Sequence, residues 1–198
     1  MQYENYKQAR DLSWEVLIAH NVRELPVKIV PICRGYGIRV RSYQDSSDVL
    51  RGLGLLHMTD RTDGFLTYIS GAPVIFYDQR CVPGRQRFTI AHELGHYLLG
   101  HVQPGQVTAI NREPAPGDSP QERQANQFAA RVLAPACVLW GLDLHDADEI
   151  AEACGISRAA AAFRAERMQE LYRRGKFLTA PQERRVYRQF ENFISQGR

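Results

Sequence analysis

The chain has 198 residues, of which 44% are hydrophobic and 24% charged, with a net charge of +3, so its length and apolar content suit one catalytic core and a small appendage. No stretch approaches the roughly 18 apolar residues of a membrane span, and the first residues lack a charged-then-apolar signal, which gives the expectation of a cytoplasmic protein. Cys33, Cys81, Cys137 and Cys154 form no C-x-x-C pair, which argues for reduced core thiols and against a disulfide framework or a thiolate zinc site.

Residues 2–20 have the spacing of an N-terminal helix, with Tyr3, Tyr6, Leu12, Trp14, Leu17 and Ile18 offering an apolar surface. Pro26 opens a shorter helix that runs to about Cys33 and is ended by Arg34-Gly35-Tyr36-Gly37. Ile38 to Tyr43 alternates apolar and polar side chains, the period of a strand. Residues 44–63 show no clear period, although Arg51 to His57 fits a short helix or a loop. Asp63-Gly64 turns the chain into a strand at Phe65 to Ser70, and Gly71-Ala72-Pro73 turns it again into Val74 to Asp78. The hairpin leads into the next helix, either as the upper edge of a cleft where an extended peptide adds as a further strand, or only as a cover for that helix.

Arg85 to Leu99, stopped by Gly100, is the stretch that carries chemistry. His92 and His96 are four residues apart and fall on one face of a helix, so their imidazoles can share one metal ion. Glu93 projects beside that ion as a base acting on metal-bound water, the H-E-x-x-H pattern of zinc peptidases. The longer H-E-x-x-H-x-x-G-x-x-H pattern needs Gly and His where this chain has Leu99 and Val102. His101, nine residues after His92, falls about 900° round an uninterrupted helix, on the opposite face, and is not expected to be a ligand. Residues 102–120, rich in Pro and Gly, read as an irregular loop, either a flap over the cleft or a connector.

Catalytic zinc usually takes three protein ligands plus water. Downstream, Ala125, Phe128, Ala129, Val132 and Leu133 recur with helical spacing, so a second helix packs on the first. Glu122 and Asn126 share one face of it; the carboxylate is the candidate third ligand, and the amide can orient a ligand from behind. The competing reading of Glu122 is an exposed residue stabilised by the helix dipole. Tyr77, Tyr97, His101 and His145 are unranked candidates for stabilising the oxyanion.

Arg87-Phe88-Thr89-Ile90-Ala91-His92-Glu93-Leu94-Gly95-His96, followed by Glu122-x-x-Ala125-Asn126-x-Phe128-Ala129-Ala130-x-x-Leu133-x-Pro135, resembles the ImmA/IrrE family of bacterial and phage metallo-endopeptidases. The chain departs from the family's pattern at Gln124, where a second acidic residue is frequent, and at Ala134, where methionine is frequent. The resemblance implies a gluzincin-like peptidase with Zn2+ as cofactor, His92, His96 and Glu122 as ligands and Glu93 as general base. It further implies a protein substrate, a DNA-binding repressor of the helix-turn-helix type. The expected fold is α+β, a mostly helical zincin-like core with a small three-stranded sheet or hairpin over residues 1–140, followed by a helical C-terminal region over residues 141–198.

Glu149 to Arg158 resembles the first helix and turn of a helix-turn-helix, with Ser157 opening the next helix. That helix, Ser157 to Arg164, is mostly alanine and poor in the side chains that read base edges, so DNA binding is disfavoured. Charge is uneven, with ten Lys or Arg against four Asp or Glu in residues 158–198, and fifteen against eighteen before them. A solvated face is one explanation and a surface for an acidic partner the other. Pro181 to Ser195 reads as a closing helix or a dimer face, which leaves the oligomeric state open. The alternative to the enzyme is a non-catalytic DNA-binding or repressor-binding regulator that keeps the metal helix as scaffold.

Overall fold

The computed structural model describes residues 2–108 and 119–197, with side chains from Tyr6 onward. Its elements are α1 (Gln2–Ala19), α2 (Ile29–Gly35), β1 (Arg39–Ser42), α3 (Ser47–Gly52), β2 (Gly64–Ile69), β3 (Ala72–Tyr77), α4 (Pro83–Leu98), α5 (Pro120–Leu133), α6 (Ala136–Gly141), α7 (Ala147–Cys154), α8 (Arg158–Arg173), α9 (Pro181–Gln189) and α10 (Glu191–Gln196). The fold is α+β, mostly helical with one small sheet. Among the described residues no helix is long and apolar enough to cross a membrane.

β3 is the central strand, parallel to β1 and antiparallel to β2. The strand before the metal helix therefore has both sides paired, and the edge strands are β1 and β2. Ser70 and Gly71 hold positive φ values of 51° and 78°, the pair of left-handed residues that a two-residue hairpin turn requires. The turn thus precedes Ala72-Pro73, which lie in β3; β1 pairs only from Val74, so Pro73 has no neighbour strand on that side.

Both faces of the sheet are covered, which is why its strands read as nearly continuous apolar runs. Leu66 and Ile75 pack into the main core with α4, whereas Phe65, Val74 and Phe76 pack on the other face with Tyr43 and Leu50. Leu50 comes from α3, in the segment without legible period. That segment folds as two 3-10 turns around one short helix, too brief for a helical repeat to show.

The main core runs from Val16 and Leu17 of α1 through α4 and α5 to Val186, Phe190 and Ile194 near the C-terminus. Gln189 donates to the carbonyls of Leu17 at 2.8 Å and Val22 at 2.5 Å, tying α9 to the end of α1. α7 begins with a capping box of Asp146 and Glu149, and Gly155 ends it at φ 59°. The turn into α8 is pressed onto α4: Arg87 donates to the carbonyls of Gly155 and Val27, both at 3.0 Å. A Cβ at Gly84 would lie 2.7 Å from the Ile156 carbonyl carbon. Ala161, Arg164, Ala165 and Met168 bury one face of α8. Cys33, Cys137 and Cys154 are buried free thiols, each pushed up to about 12 by burial, and so are poor nucleophiles.

Because Phe190 is fully buried in this shared core, Phe190→Ala is expected to cost about 3–5 kcal/mol. Urea denaturation should show that loss in one transition for the whole chain; a second, separate transition would mean that the last helices melt independently.

Candidate metal centre

α4 starts at Pro83 behind an extended Val82, the first-turn placement that suits a residue without an N–H. Its Ile90, Ala91 and Leu94 enter the core, which leaves His92, Glu93 and His96 at 0%, 0% and 2% exposure on the side toward α5. α5 opens with Ser119, whose hydroxyl accepts the Glu122 N–H at 3.2 Å, and this cap sets Glu122 in the first turn. The two helices cross at Gly95. A Cβ there would lie 2.9 Å from Phe128 Cδ1 and 3.3 Å from Ala125 Cα, so only glycine permits this approach without a shift of α5.

The crossing brings three side chains together. His92 Nε2 lies 3.2 Å from Glu122 Oε2, His96 Nε2 lies 3.2 Å from Glu122 Oε1, and the two Nε2 atoms are 2.8 Å apart. Candidate ligand atoms of all three residues fall within 4.8 Å of one another. Burial raises the Glu122 carboxyl pKa, but the neighbouring His92 and His96 outweigh it and hold the group well below the usual range.

The hydrogen bonds behind the histidines decide which nitrogen is free. His92 Nδ1 donates to Asn126 Oδ1 at 2.8 Å, so its Nε2 carries the lone pair. α4 ends at Leu98 and Gly100, at φ 70°, reverses the chain, so the rotation of an uninterrupted helix does not apply to His101. Its Nδ1 stands 3.2 Å behind His96 Nδ1, and its Nε2 3.2 Å from Gln124 Oε1. Gln124 in turn donates to Gln8 of α1 at 3.3 Å. The consistent proton placement runs from His101 Nε2–H to Gln124 and from His96 Nδ1–H to His101, which leaves the His96 Nε2 lone pair facing Glu122. With both Nε2 atoms turned toward the carboxylate, the N, N, O donor set fits a metal ion. His101 thus stands behind a member of the cluster and outside it.

Glu93 is fully buried beside the cluster and its pKa is raised to about 7, by burial above all, against the lowering influence of His96 and of Thr108. Thr108 donates to Glu93 Oε2, and among the described residues Oε1 has no hydrogen-bond partner. The same threonine lies on the open edge of β2: the Leu66 N–H donates to its hydroxyl at 2.8 Å, its own N–H donates to Leu66 O at 3.0 Å, and Thr67 donates to Gln106 O at 3.3 Å. The segment expected as a flap or a connector therefore lies along β2 at Gln106 and Thr108, and its residues 109–118 lie outside the described residues. Of the oxyanion candidates, His101 is engaged with His96 and Gln124, and His145 bonds Asp143 at 2.8 Å and packs on Tyr172, on the side of α8. Tyr77 and Tyr97 make no hydrogen bond to the cluster among the described residues. The sequence offers no role for Gly95 or Thr108 and offers His101 only as an oxyanion candidate, not as the residue behind His96; the glycine inside an apolar helix is the one visible signal.

A family model described as IrrE N-terminal-like domain, of the peptidase M78 type, matches residues 33–166. The matched span contains every member of the cluster. No curated protein matches the chain.

Removing the groups behind the ligands should loosen the site without removing it: His101→Phe and Asn126→Leu are each expected to weaken metal affinity about 10–100-fold, measured by competition with a chromophoric chelator. Glu93 supplies a pH signature in the metal-free chain. An acid raised from 4.5 to about 7 on folding contributes stability that is complete below pH 4.5 and lost as pH rises through 7. Metal-free Glu93→Gln should therefore exceed the wild type by about 3 kcal/mol near pH 8, with the gap closing by about pH 4, in urea titrations at both pH values.

Proposed function

Because the chain belongs to the ImmA/IrrE family of metallopeptidases, we propose that it is a cytoplasmic zinc-dependent endopeptidase whose substrate is a helix-turn-helix repressor. The observation that carries this reading is the convergence of His92, His96 and Glu122 with the buried Glu93 at their side. Imidazole donors with one carboxylate suit zinc better than the oxygen-only cages of magnesium or calcium. His92 Nε2, His96 Nε2 and the Glu122 carboxylate would hold the ion, which supplies Lewis-acid activation of the scissile carbonyl and of the attacking water.

The proton work falls to Glu93. A fully buried carboxylate beside the ion would take a proton from the attacking water and return it to the departing amine within one cycle. Oε1, without a hydrogen-bond partner among the described residues, would carry that proton; Thr108 holds Oε2 only until a substrate strand takes its place. Asn126 and His101 keep both imidazoles turned with Nε2 forward. A substrate strand would add to the β2 edge, in the place that Gln106 and Thr108 now take. The repressor as substrate rests on the family resemblance.

Elemental analysis should find close to one zinc per chain in the wild type and in Glu93→Gln, and none in His92→Ala or Glu122→Ala. Cleavage of a repressor encoded nearby should fall about 100- to 10,000-fold in Glu93→Gln, the range of a lost general base. Full activity in that variant would sink the mechanism.

A further inference from the structure

A cavity of about 320 Å³ opens where α1, α5 and α8 meet the loop before α9. Seven of its lining side chains are cationic and one, Glu183, is acidic. Some of those cations are already paired: Arg10 with Asp11, and Arg167 and Arg174 with a shared Glu170. Arg131 and Arg164 have no carboxylate within ion-pairing distance among the described residues. Arg164 is 5% exposed and spends its Nε on the Ala134 carbonyl, at 2.7 Å. Arg131 Nε is buried without a hydrogen-bond partner, and its guanidinium lies 4.4 Å from the centroid of the Tyr6 ring, with that of Arg167 at 5.4 Å from the same ring. Glu183, the one carboxylate of the lining, accepts the Thr179 N–H at 3.0 Å and makes no ion pair with either arginine among the described residues.

Guanidinium groups gathered in one cavity without a carboxylate partner, Arg164 buried and Arg131 partly so, are costly to fold around. Burial lowers the pKa of both, Arg164 to about 9, and each is lowered further by neighbouring arginines. Such a cluster is incomplete without an anion. Planar guanidinium forks match phosphate oxygens two by two. The volume falls within the roughly 300–1,000 Å³ of small-molecule sites, more room than a bare ion needs. We propose that this cavity is a binding site for a small phosphate-bearing molecule of nucleotide size, with Arg131 and Arg164 on the phosphate or pyrophosphate and Lys7 and Lys176 at its mouth. The site is separate from the metal centre: Arg131 follows Glu122 by nine residues, about 14 Å along α5.

The test is calorimetric titration and thermal unfolding of the full chain with pyrophosphate, ATP and adenosine at one fixed ionic strength. Pyrophosphate and ATP are expected to raise Tm by about 5–10 °C at a hundred times their Kd, and adenosine to leave it unchanged. Arg131→Met should weaken both phosphates by about tenfold or more. It should also leave the Tm of the unliganded chain equal or higher, because an uncompensated buried charge has gone; a merely structural arginine would lower it. The exposed pair Lys7→Gln with Lys176→Gln should weaken binding severalfold, and it keeps the test alive should Arg131→Met fail to fold. Any Tm change caused by chelation of metal would persist in both variants, which leave His92, His96 and Glu122 untouched. No response to either phosphate, an equal response to adenosine, or unchanged Kd values in the variants would overturn the proposal.

Discussion

The close crossing of α4 and α5 at Gly95 is the constraint on which the site depends. His92 and His96 share a face because of helical spacing alone, but Glu122 is distant in sequence and reaches them only if the two axes come near. Phe128 and Ala125 fill the space that a side chain at Gly95 would take. The apolar faces of both helices press the contact together, and the burial that stabilises the fold also strips water from Glu93. One packing contact thus brings the metal-binding donors together and tunes the base.

Around that contact, polar groups are arranged in series. Asn126 stands behind His92, and His101, Gln124 and Gln8 form a line behind His96 that ends on α1. In a buried site the proton on one ring nitrogen fixes the role of the other, so these bonds choose the face that each imidazole shows. Gln124 stands where the family often has an acid. An amide oxygen suffices to accept from His101 and adds no negative charge beside Glu93.

Gly155 and Ser157 make a turn and a cap that resemble those of a helix-turn-helix; the turn is seated on α4 through Arg87 and Gly84, and Ala161 and Ala165 of α8 are buried. Alanine at Ala161 and Ala165 lets α8 come close, and that closeness buries Arg164 near Arg131. The concentration of positive charge in this third of the chain is therefore partly internal, lining a cavity as well as facing solvent.

The sequence by itself determined the elements whose cause is local. The period of α4 and α5 set His92, Glu93, His96, Glu122 and Asn126 on their faces, because side-chain direction follows backbone period within one element, and the turn residues at Asp63-Gly64 and Gly71 set a hairpin. The brief helix α3 and the exact hairpin turn escaped, since four or five residues carry too little period. What only the tertiary structure decided lies between elements distant in the chain. Whether Glu122 meets the two histidines depends on the interhelical distance that Gly95 allows, and the place of His101 depends on the reversal at Gly100. The order of the sheet made β1 and β2, and not β3, the edge strands. The unpaired state of Arg131 and Arg164 likewise has no local signature, because a charge is compensated or left bare by whatever the fold brings beside it.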